Sequence, residues 1–319
     1  MLNYFMSLPG ACAQGMIWGI MAIGVYITYK ILDIADLTVD GSICTGAAVC
    51  AIMMTRGYSV WLALICAILA GMLTGLVTGL FHTFMGIPAI LAGILTQLIL
   101  WSINLKLLGL GFEPIRNSAS NVALPARSLD LLVSQIALHD KSLPFYKSPL
   151  VILFLICVAI IGILYWFFGT EYGASIRATG ANLNMSRAQG INTNARKTFG
   201  LILSNGLVAL SGALLAQYQG NADINMGKGA IVIGLAAVII GEALFSWFSK
   251  TNFALKLLAV ILGAIVYYIV YATVIYLGLD SNYLKMLSAI LVAIFLAIPY
   301  WKKKYFNGKK LKKGGNTNA

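Results

Sequence analysis

Charged residues are scarce in this chain of 319 residues. Only 10 acidic and 22 basic side chains are present, whereas hydrophobic residues make up 60% of the sequence. An ordinary soluble domain carries about 25% charged residues. The scarcity of charge excludes a soluble globular domain and a disordered chain. The composition predicts an integral membrane protein.

The sequence also lacks the motifs of catalytic and metal-binding sites. Its 5 cysteines lie in apolar runs without metal-ligand spacing, and the two histidines, His82 and His139, are isolated. No GxxxxGK[ST] loop is present to cradle a nucleotide phosphate. We therefore expect a chain that is not an enzyme and binds no cofactor or metal itself.

Long uncharged runs define the predicted membrane spans. Six runs, at 11–29, 61–81, 87–105, 150–168, 198–218 and 257–277, are long enough to cross a hydrocarbon core about 30 Å thick. Weaker runs at 41–55, 229–248 and 287–301 bring the expected number of crossings to about nine, in a range of about eight to ten. The runs lack strand alternation. We predict an all-α polytopic membrane protein with one transmembrane domain over residues 1–301.

The distribution of lysine and arginine predicts the orientation of the chain. The tail at 302–319 contains seven lysines, which places the C-terminus in the cytoplasm. With nine crossings, the N-terminus lies outside, the polar segment 169–197 lies inside and the segment 106–148 lies outside. The net charge of +12 is interpreted as a topology signal and not as nucleic-acid binding. Aromatic residues are expected to anchor the span ends at the interface: Trp101, Trp166, Trp247, Tyr300 and Trp301.

Two similar segments, 36–49 and 223–238, each interrupt an apolar run with Asp and Gly and then restart a helix. Five crossings separate them, so we expect two inverted halves, at about 11–168 and 198–301. Paired interrupted helices in inverted halves mark the solute pathway of transporters. The alternative is a pair of ordinary loops with Asp at a helix start. The predicted pathway residues are Asp36, Asp40, Gly41, Ser42, Asp223, Asn225 and Gly229.

Three glycines and one glutamate inside apolar runs lead to two further predictions. Gly71, Gly75 and Gly79 share one helical face, which predicts close helix packing within the subunit or across a dimer. Glu242 is the clearest ionisable residue within a span. We expect it to pair with a backbone or basic group. The scarcity of such residues argues against the alternative of an ion-coupled secondary transporter.

The segment 169–197 carries the most specific pattern in the chain. It includes a stretch that is expected to be helical from Ala181 to Gln189 and to end at Gly190. The pattern is Gly173-x-x-x-Arg177-Ala178-x-Gly180-x-Asn182, followed by Ala188-x-Gly190-Ile191-Asn192. Together with Leu37-Thr38-Val39-Asp40-Gly41-Ser42, it resembles the permease subunits of ABC importers of the branched-chain amino acid/ribose permease family.

The resemblance implies an importer in the bacterial cell membrane. Its expected parts are two permease copies, most simply a homodimer, two ATPase subunits that bind ATP and Mg, and an extracytoplasmic lipoprotein that binds the solute. The segment 169–197 would then be the cytoplasmic coupling segment. The residues expected to contact the ATPase are Arg177, Ala178, Gly180, Asn182, Arg187, Ala188 and Gly190. Arg116 and Arg127 in the external segment are candidate contacts for the binding lipoprotein.

The details are most similar to the subgroup whose lipoproteins bind tyrosine or tryptophan. Sugar and branched-chain permeases usually have Asn-Leu-Ser or Asn-Leu-Ala where this chain has Asp36-Leu37-Thr38, and often Gly-Gly where it has Gly241-Glu242. An aromatic amino acid is therefore the favoured solute. Nucleosides, sugars and branched-chain amino acids remain the alternatives.

Overall fold

The computed structural model describes residues 2–112, 115–124, 131–135, 148–245 and 252–277, with isolated positions between 286 and 297. Most of the predicted run at 287–301 lies outside the described residues, as do Arg127 and the tail at 302–319. The predicted single domain and its two halves are therefore described only up to residue 277, apart from those isolated positions.

The described residues form helices almost throughout. The elements, in chain order, are α1 (Leu2–Tyr26), a π-helical turn (Ile27–Ile31), α2 (Val39–Thr55), α3 (Val60–Thr83), α4 (Ala89–Gly109), β1 (Asn121–Ala123), α5 (Pro149–Gly169), α6 (Glu171–Ala181), α7 (Leu183–Ala188), α8 (Thr193–Gln219), β2 (Asn221–Asp223), α9 (Ala230–Phe245) and α10 (Phe253–Tyr276).

Six helices in the described part of the chain are long and apolar enough to cross a membrane. They are Ser7–Ile31, Val60–Thr83, Ala89–Gly109, Pro149–Gly169, Thr193–Gln219 and Phe253–Tyr276. These helices coincide with the six predicted long runs, so the prediction of an all-α polytopic membrane protein is confirmed. The apolar helices α2 and α9 are shorter, with 17 and 16 residues.

Local sequence signals explain where several helices begin and end. The Ser59 hydroxyl accepts a hydrogen bond from the N–H of Leu62 at 3.4 Å at the start of α3. The Asn192 side chain accepts one from the N–H of Ala195 at 3.1 Å at the start of α8. These polar side chains satisfy N–H groups that have no partner within the helix. Gly220 ends α8 with φ of 72°, a conformation that glycine adopts without strain.

The first span and α8 lie at the centre of the bundle. Within their most apolar windows, 83% and 78% of the residues are buried, compared with 22% in α5. The two central helices are antiparallel, because Ser204 donates to the carbonyl of Gly24 at 2.8 Å and Ser211 to that of Ile17 at 2.7 Å. The more exposed faces of α3, α4 and α5 are apolar, as expected of helices that face lipid.

Glycines allow α3 to approach α8 closely. A Cβ atom on Gly71 would overlap the backbone of Asn205, and one on Gly79 would lie 2.6 Å from Thr198 Cγ2. The predicted glycine face therefore packs within the subunit. The order of these contacts shows that α3 is antiparallel to α8, because Gly71 meets Asn205 while the later Gly79 meets the earlier Thr198. Both α1 and α3 are antiparallel to α8, so α1 and α3 run in the same direction. The next helix, α4, returns across the bundle and runs opposite to both.

The crossing of α2 and α8 is closer still. A Cβ atom on Gly46 would overlap the carbonyl oxygen of Ala209, and one on Gly212 would overlap the carbonyl oxygen of Ile43. The two backbones are thus in direct contact at this point. Small residues permit such an approach and allow dispersion contacts that lipid does not provide.

A two-stranded sheet covers one end of the bundle. β1 and β2 pair antiparallel, with Val122 opposite Ala222. The ladder is extended by hydrogen bonds from Leu124 N–H to the carbonyl of Gly220 at 2.8 Å and from Ile224 N–H to that of Ser120 at 2.9 Å. The segment after α4 is thereby fixed over the chain that leads into α9.

Candidate functional site

The chain leaves regular helical geometry between α1 and α2. The turn Ile27–Ile31 is π-helical, and the N–H of Leu32 still donates to the carbonyl of Ile27 at 3.0 Å. Asp33 follows with φ of 55°, which is uncommon for a residue other than glycine. Such features are concentrated at functional sites and hinges. We refer to Ile27–Asp33 as the joint.

Asp40 connects the start of α2 to the start of α9. Its carboxylate accepts hydrogen bonds from the N–H groups of Gly229 and Ile231, each at 3.0 Å. The free N–H groups and the positive dipole of a helix start favour an anion at this position. A Cβ atom on Gly227 would overlap the carbonyl oxygen of Asp40. The two glycine-interrupted segments found in the sequence are thus in direct contact.

The start of α9 lies near the middle of the bundle. Gly234, in the second turn of α9, packs against Met21 and Val25 of α1, and Glu242 pairs with Lys30 farther along both helices. α9 therefore runs parallel to α1. Its first residue lies about one turn before Gly234, which places it level with the middle of the first span.

α2 follows the direction of α4. Leu37 lies against Gly93, Gly41 lies against Leu100, and Thr45 donates to the Asn104 side chain at 3.0 Å. Because α4 is antiparallel to α1 and α9 is parallel to it, α2 and α9 run in opposite directions. Their starts meet at Asp40, near the middle of the bundle. Each short helix therefore extends from this level towards a different end of the bundle.

Buried polar side chains form a hydrogen-bond network at the start of α2. The Asp36 carboxylate accepts from the Thr38 N–H at 2.9 Å and from the Asn205 amide at 2.8 Å. The Asn205 oxygen accepts from the Ser42 hydroxyl at 2.6 Å, and the hydroxyls of Ser42 and Thr74 lie 2.7 Å apart. Each of these side chains is at most 5% exposed. A satisfied polar network in a region of low dielectric fixes a single packing arrangement.

The same network extends to α3 and α4. The hydroxyls of Thr38 and Thr78 lie 2.7 Å apart, and Thr78 donates to Thr96 at 3.0 Å. The Asn104 amide donates to the carbonyl of Gly41 at 3.3 Å. α2 is therefore held by polar contacts with α3, α4 and α8 at once.

A small cavity lies beside the contact made by Asp40. Its volume is about 40 Å³. The Lys228 ammonium lies 4.6 Å from the centroid of the Trp101 ring, a cation–π contact. One water needs about 10–15 Å³, so the cavity has room for a few waters but not for an amino acid. The lining residues are Asp40, Gly41, Cys44, Gln97, Trp101, Asn104, Ile224 and Lys228.

The predicted pathway residues have different structural positions. Asp36 and Ser42 are engaged in the buried network and do not line the cavity. Asp223 accepts a hydrogen bond from the N–H of Asn225 at 2.6 Å, in the turn before α9, and Asn225 is exposed. The residues that take part in the central contact or line the cavity are Asp40, Gly41 and Gly229.

Several residues of this site were not predicted. Trp101 was expected as an interfacial anchor, but it lies about two turns before the end of α4 and lines the cavity. Asn104, Asn205 and Gln97 are amide side chains within apolar runs. Because such groups are costly in hydrocarbon, they are a sequence signal for the interior of a bundle.

The predicted coupling segment folds as two helices. α6 ends at Ala181, and Asn182 adopts an extended conformation and accepts a hydrogen bond from the N–H of Met185 at 3.0 Å. The helix expected from Ala181 to Gln189 corresponds to α7, and it begins at Leu183 because the Asn182 side chain caps a new helix start. The helix α6, which precedes it, was not predicted. Gly190 has φ of 78° just after α7, and the predicted helix stop is confirmed.

Gly180, which was expected to contact the ATPase, is partly buried and lies against the joint. A Cβ atom there would overlap the carbonyl oxygen of Ile31 in the joint. The buried residues Gly173, Ile176 and Thr179 share its helix. A Cβ atom on Gly200 in α8 would likewise overlap the Leu32 side chain. The helix α6 is therefore packed against the joint.

The exposed part of the segment lies on and around α7. Leu183 and Met185 are 36% and 47% exposed although both are apolar. Arg187 donates from Nε to the Thr193 hydroxyl at 3.1 Å, which holds its side chain in place. We define the α7 surface by five exposed residues: Asn182, Leu183, Met185, Arg187 and Ala188.

Glu242 pairs with a basic residue, which confirms its predicted structural role. Its carboxylate accepts from the Lys30 ammonium at 2.9 Å, and the two side chains are 41% and 48% exposed. An ion pair that is this accessible contributes at most about 1 kcal/mol. Within the described residues, no group of three or more His, Cys, Asp or Glu is arranged to hold a metal ion.

Comparisons with known proteins agree with this architecture. The family model for the permease component of branched-chain amino acid transport systems matches residues 8–298. A tyrosine transport system permease protein of Clostridioides difficile (strain R20291) is 38% identical over 284 residues, which cover 89% of this chain and 88% of that protein.

More distant relatives share most of the length. An uncharacterised protein of Rickettsia prowazekii (strain Madrid E) is 32% identical over 90% of this chain and 95% of its own. The autoinducer 2 import system permease protein LsrC of Salmonella paratyphi B (strain ATCC BAA-1250 / SPB7) is 24% identical over 95% of this chain and 75% of its own. No solved structure matches the chain.

Proposed function

Because the chain belongs to the family of permease components of branched-chain amino acid transport systems, we propose that it forms the pathway of an ATP-driven importer for an aromatic amino acid. The identity of 38% to a tyrosine transport system permease protein, over nearly the whole chain, is the observation that carries the choice of solute. The departures at Asp36 and Glu242 from the sugar and branched-chain patterns support the same choice.

The proposed pathway follows the contact between α2 and α9. The two short helices run in opposite directions from a shared level, which supports an inverted arrangement of the two halves. The cavity beside Asp40, at about 40 Å³, is too small for an amino acid, so the arrangement corresponds to a closed pathway. Opening requires the start of α9 to separate from Asp40 and Trp101. Asp40 and Lys228, which is already exposed, would then face the two charges of a zwitterion.

We place the ATPase, which binds ATP and Mg, at the α7 surface. On the α7 surface, the apolar side chains of Leu183 and Met185 are exposed beside Arg187, a combination typical of interface centres. Of the residues expected to contact the ATPase, Asn182, Arg187, Ala188 and Gly190 stay in the proposal. Gly180 packs against the joint, so it would transmit motion of α6 to the joint rather than touch the ATPase. Such a rigid-body displacement is a common switching mode. Ala178 lies on the opposite side of α6 from Gly180, and both Ala178 and Arg177 lie outside the α7 surface.

This docking assignment makes opposite predictions for two substitutions. Ala188→Leu is expected to leave the thermal stability of the permease unchanged and to lower the ATPase activity stimulated by the permease about tenfold, which corresponds to about 1.4 kcal/mol of lost docking energy. Gly180→Leu is expected to destabilise the permease itself, because the side chain meets the Ile31 backbone. Melting in detergent and ATPase assays on the reconstituted complex separate the two effects.

Ala174→Leu provides a matched control for this test. Ala174 is exposed on α6 but lies outside the α7 surface. Its substitution should alter neither melting nor ATPase stimulation. Normal stimulation in Ala188→Leu, at wild-type expression, would refute the docking assignment.

The orientation and the remaining partners follow from the same proposal. The α7 surface would face the cytoplasm, with the N-terminus outside and the C-terminus inside. The β1–β2 sheet would face the solute-binding lipoprotein. Arg116 is exposed there, with its guanidinium 4.3 Å from the centroid of the Phe112 ring, and remains the proposed contact together with Arg127. A second permease copy would complete the homodimer in the bacterial cell membrane.

A further inference from the structure

A large cleft lies apart from the pathway, where α5 ends and α6 and α10 begin. Its volume is about 520 Å³, within the range of 300–1,000 Å³ that is typical of ligand sites. The pathway and the α7 surface do not include this cleft. Its lining includes Tyr165, Trp166, Phe168, Arg177, Asn252 and Phe253.

The cleft is amphipathic. Phe168 and Phe253 form an apolar contact within it, with ring centroids 5.0 Å apart. Tyr165 and Trp166 stand at its edge and are 53% and 72% exposed. Arg177 contributes a positive charge. Among the residues that the structure describes, its guanidinium has no carboxylate or hydrogen-bond partner.

The cleft lies at the end of a candidate membrane span. α5 is the most apolar of the candidate spans, with a mean hydropathy of 3.0, and the cleft lies at its last turn. Trp and Tyr are enriched at the level of the lipid headgroups. The exposed apolar side chains of α5, including Ile163 and Phe154, lead from the cleft towards the hydrocarbon.

We propose that this cleft binds the headgroup of an anionic phospholipid, with the Arg177 guanidinium on the phosphate. Arginine matches phosphate oxygens with two parallel N–H donors. Asn252 adds a polar group, while the aromatic rings and the outer face of α5 cover the glycerol and acyl chains. A free phosphate ion would leave those apolar surfaces uncovered. Only the assignment to the cytoplasmic leaflet rests on the proposed orientation.

Fluorescence quenching by brominated lipids tests this site on the full-length chain in nanodiscs. Brominated phosphatidylglycerol should quench Trp166 about fivefold more effectively than brominated phosphatidylcholine at equal lipid fraction, since one basic residue near the surface contributes about 1 kcal/mol to the binding of anionic lipid. Trp166→Phe identifies the Trp166 signal among the 6 tryptophans. Arg177→Gln should reduce the ratio to about one, and Arg187→Gln on the α7 surface should not change it.

A second pair of variants tests the space in the cleft. Gly169 lines the cleft, whereas Gly162 lies about two turns earlier in α5, and a Cβ atom on either glycine meets nothing within 4 Å. Gly169→Leu should lower the preference for phosphatidylglycerol, whereas Gly162→Leu should retain it.

Four outcomes would overturn the proposal. The first is equal quenching of the wild type by both lipids. The second is an equal loss of preference in Arg177→Gln and Arg187→Gln, which would indicate a general charge effect. The third is abolition of the preference by millimolar inorganic phosphate, which would indicate a soluble anion site. The fourth is loss of ATPase co-purification in Arg177→Gln while the preference for phosphatidylglycerol is retained, which would indicate that Arg177 binds a protein and not the lipid.

Discussion

Replacement of Gly46 by leucine is expected to prevent the permease from folding. At the crossing of α2 and α8, a Cβ atom on Gly46 would overlap the carbonyl oxygen of Ala209. A flexible side chain can rotate away from an added group, but here the obstacle is backbone. The substitution forces apart two helices that also hold the buried network. We expect a cost of about 3 kcal/mol or more, at or above the upper end of the range for overpacked cores.

Fluorescence-detected size-exclusion chromatography and melting in detergent measure this loss. Gly162→Leu is the matched control, because Gly162 is also helical but is exposed on α5 with open space around its Cβ position. It should behave like the wild type. A monodisperse Gly46→Leu permease with unchanged melting would show that α2 and α8 do not cross as closely as described.

Loss of the Asp36 carboxylate is expected to have the second largest effect. Asp36→Ala leaves the Thr38 N–H and the Asn205 amide without their acceptor in a buried region. Each buried donor without a partner costs about 1–3 kcal/mol. We therefore expect a lower melting temperature and a large loss of uptake, because α2 is no longer fixed against α8.

An exchange of the two partners provides the sharper test. Asp36→Asn alone places one amide against another, while the double variant Asp36→Asn/Asn205→Asp restores a donor opposite an acceptor. The rescue should be partial, since Asn205 also donates to the carbonyl of Leu201 at 3.0 Å. Melting of the wild type, both single variants and the double variant gives a coupling energy, expected between about 1 and 3 kcal/mol. Strict additivity would contradict the proposed hydrogen bond.

The spans were predictable from sequence because stability in lipid depends on the length and apolar character of a run. This property is local, and the six long helices follow it within a few residues. The Asp and Gly signals likewise identified Asp40 and Gly229 as residues at helix starts. The sequence did not reveal that the Asp40 carboxylate accepts from the Gly229 N–H, because that contact depends on how α2 and α9 pack.

The sequence pattern shows where small residues occur, but it does not show whether each of them is exposed or packed inside the protein. Gly180 and Ala188 belong to the same sequence pattern, yet Gly180 is packed against the Ile31 backbone and Ala188 is exposed. Both docking and internal packing favour small side chains, so the pattern alone does not separate them. Asn205 illustrates the opposite case, in which a single amide in an apolar run has a central role that only its neighbours reveal.

Uptake into proteoliposomes that contain this permease, its ATPase and its solute-binding lipoprotein tests the proposed function most directly. We expect labelled tyrosine, tryptophan or phenylalanine to accumulate only with ATP and the lipoprotein, while leucine, ribose and a nucleoside do not. Glu242→Gln should leave this uptake unchanged, because Glu242 forms an accessible ion pair with Lys30. Uptake that proceeds without ATP, follows an ion gradient and is lost in Glu242→Gln would contradict the account.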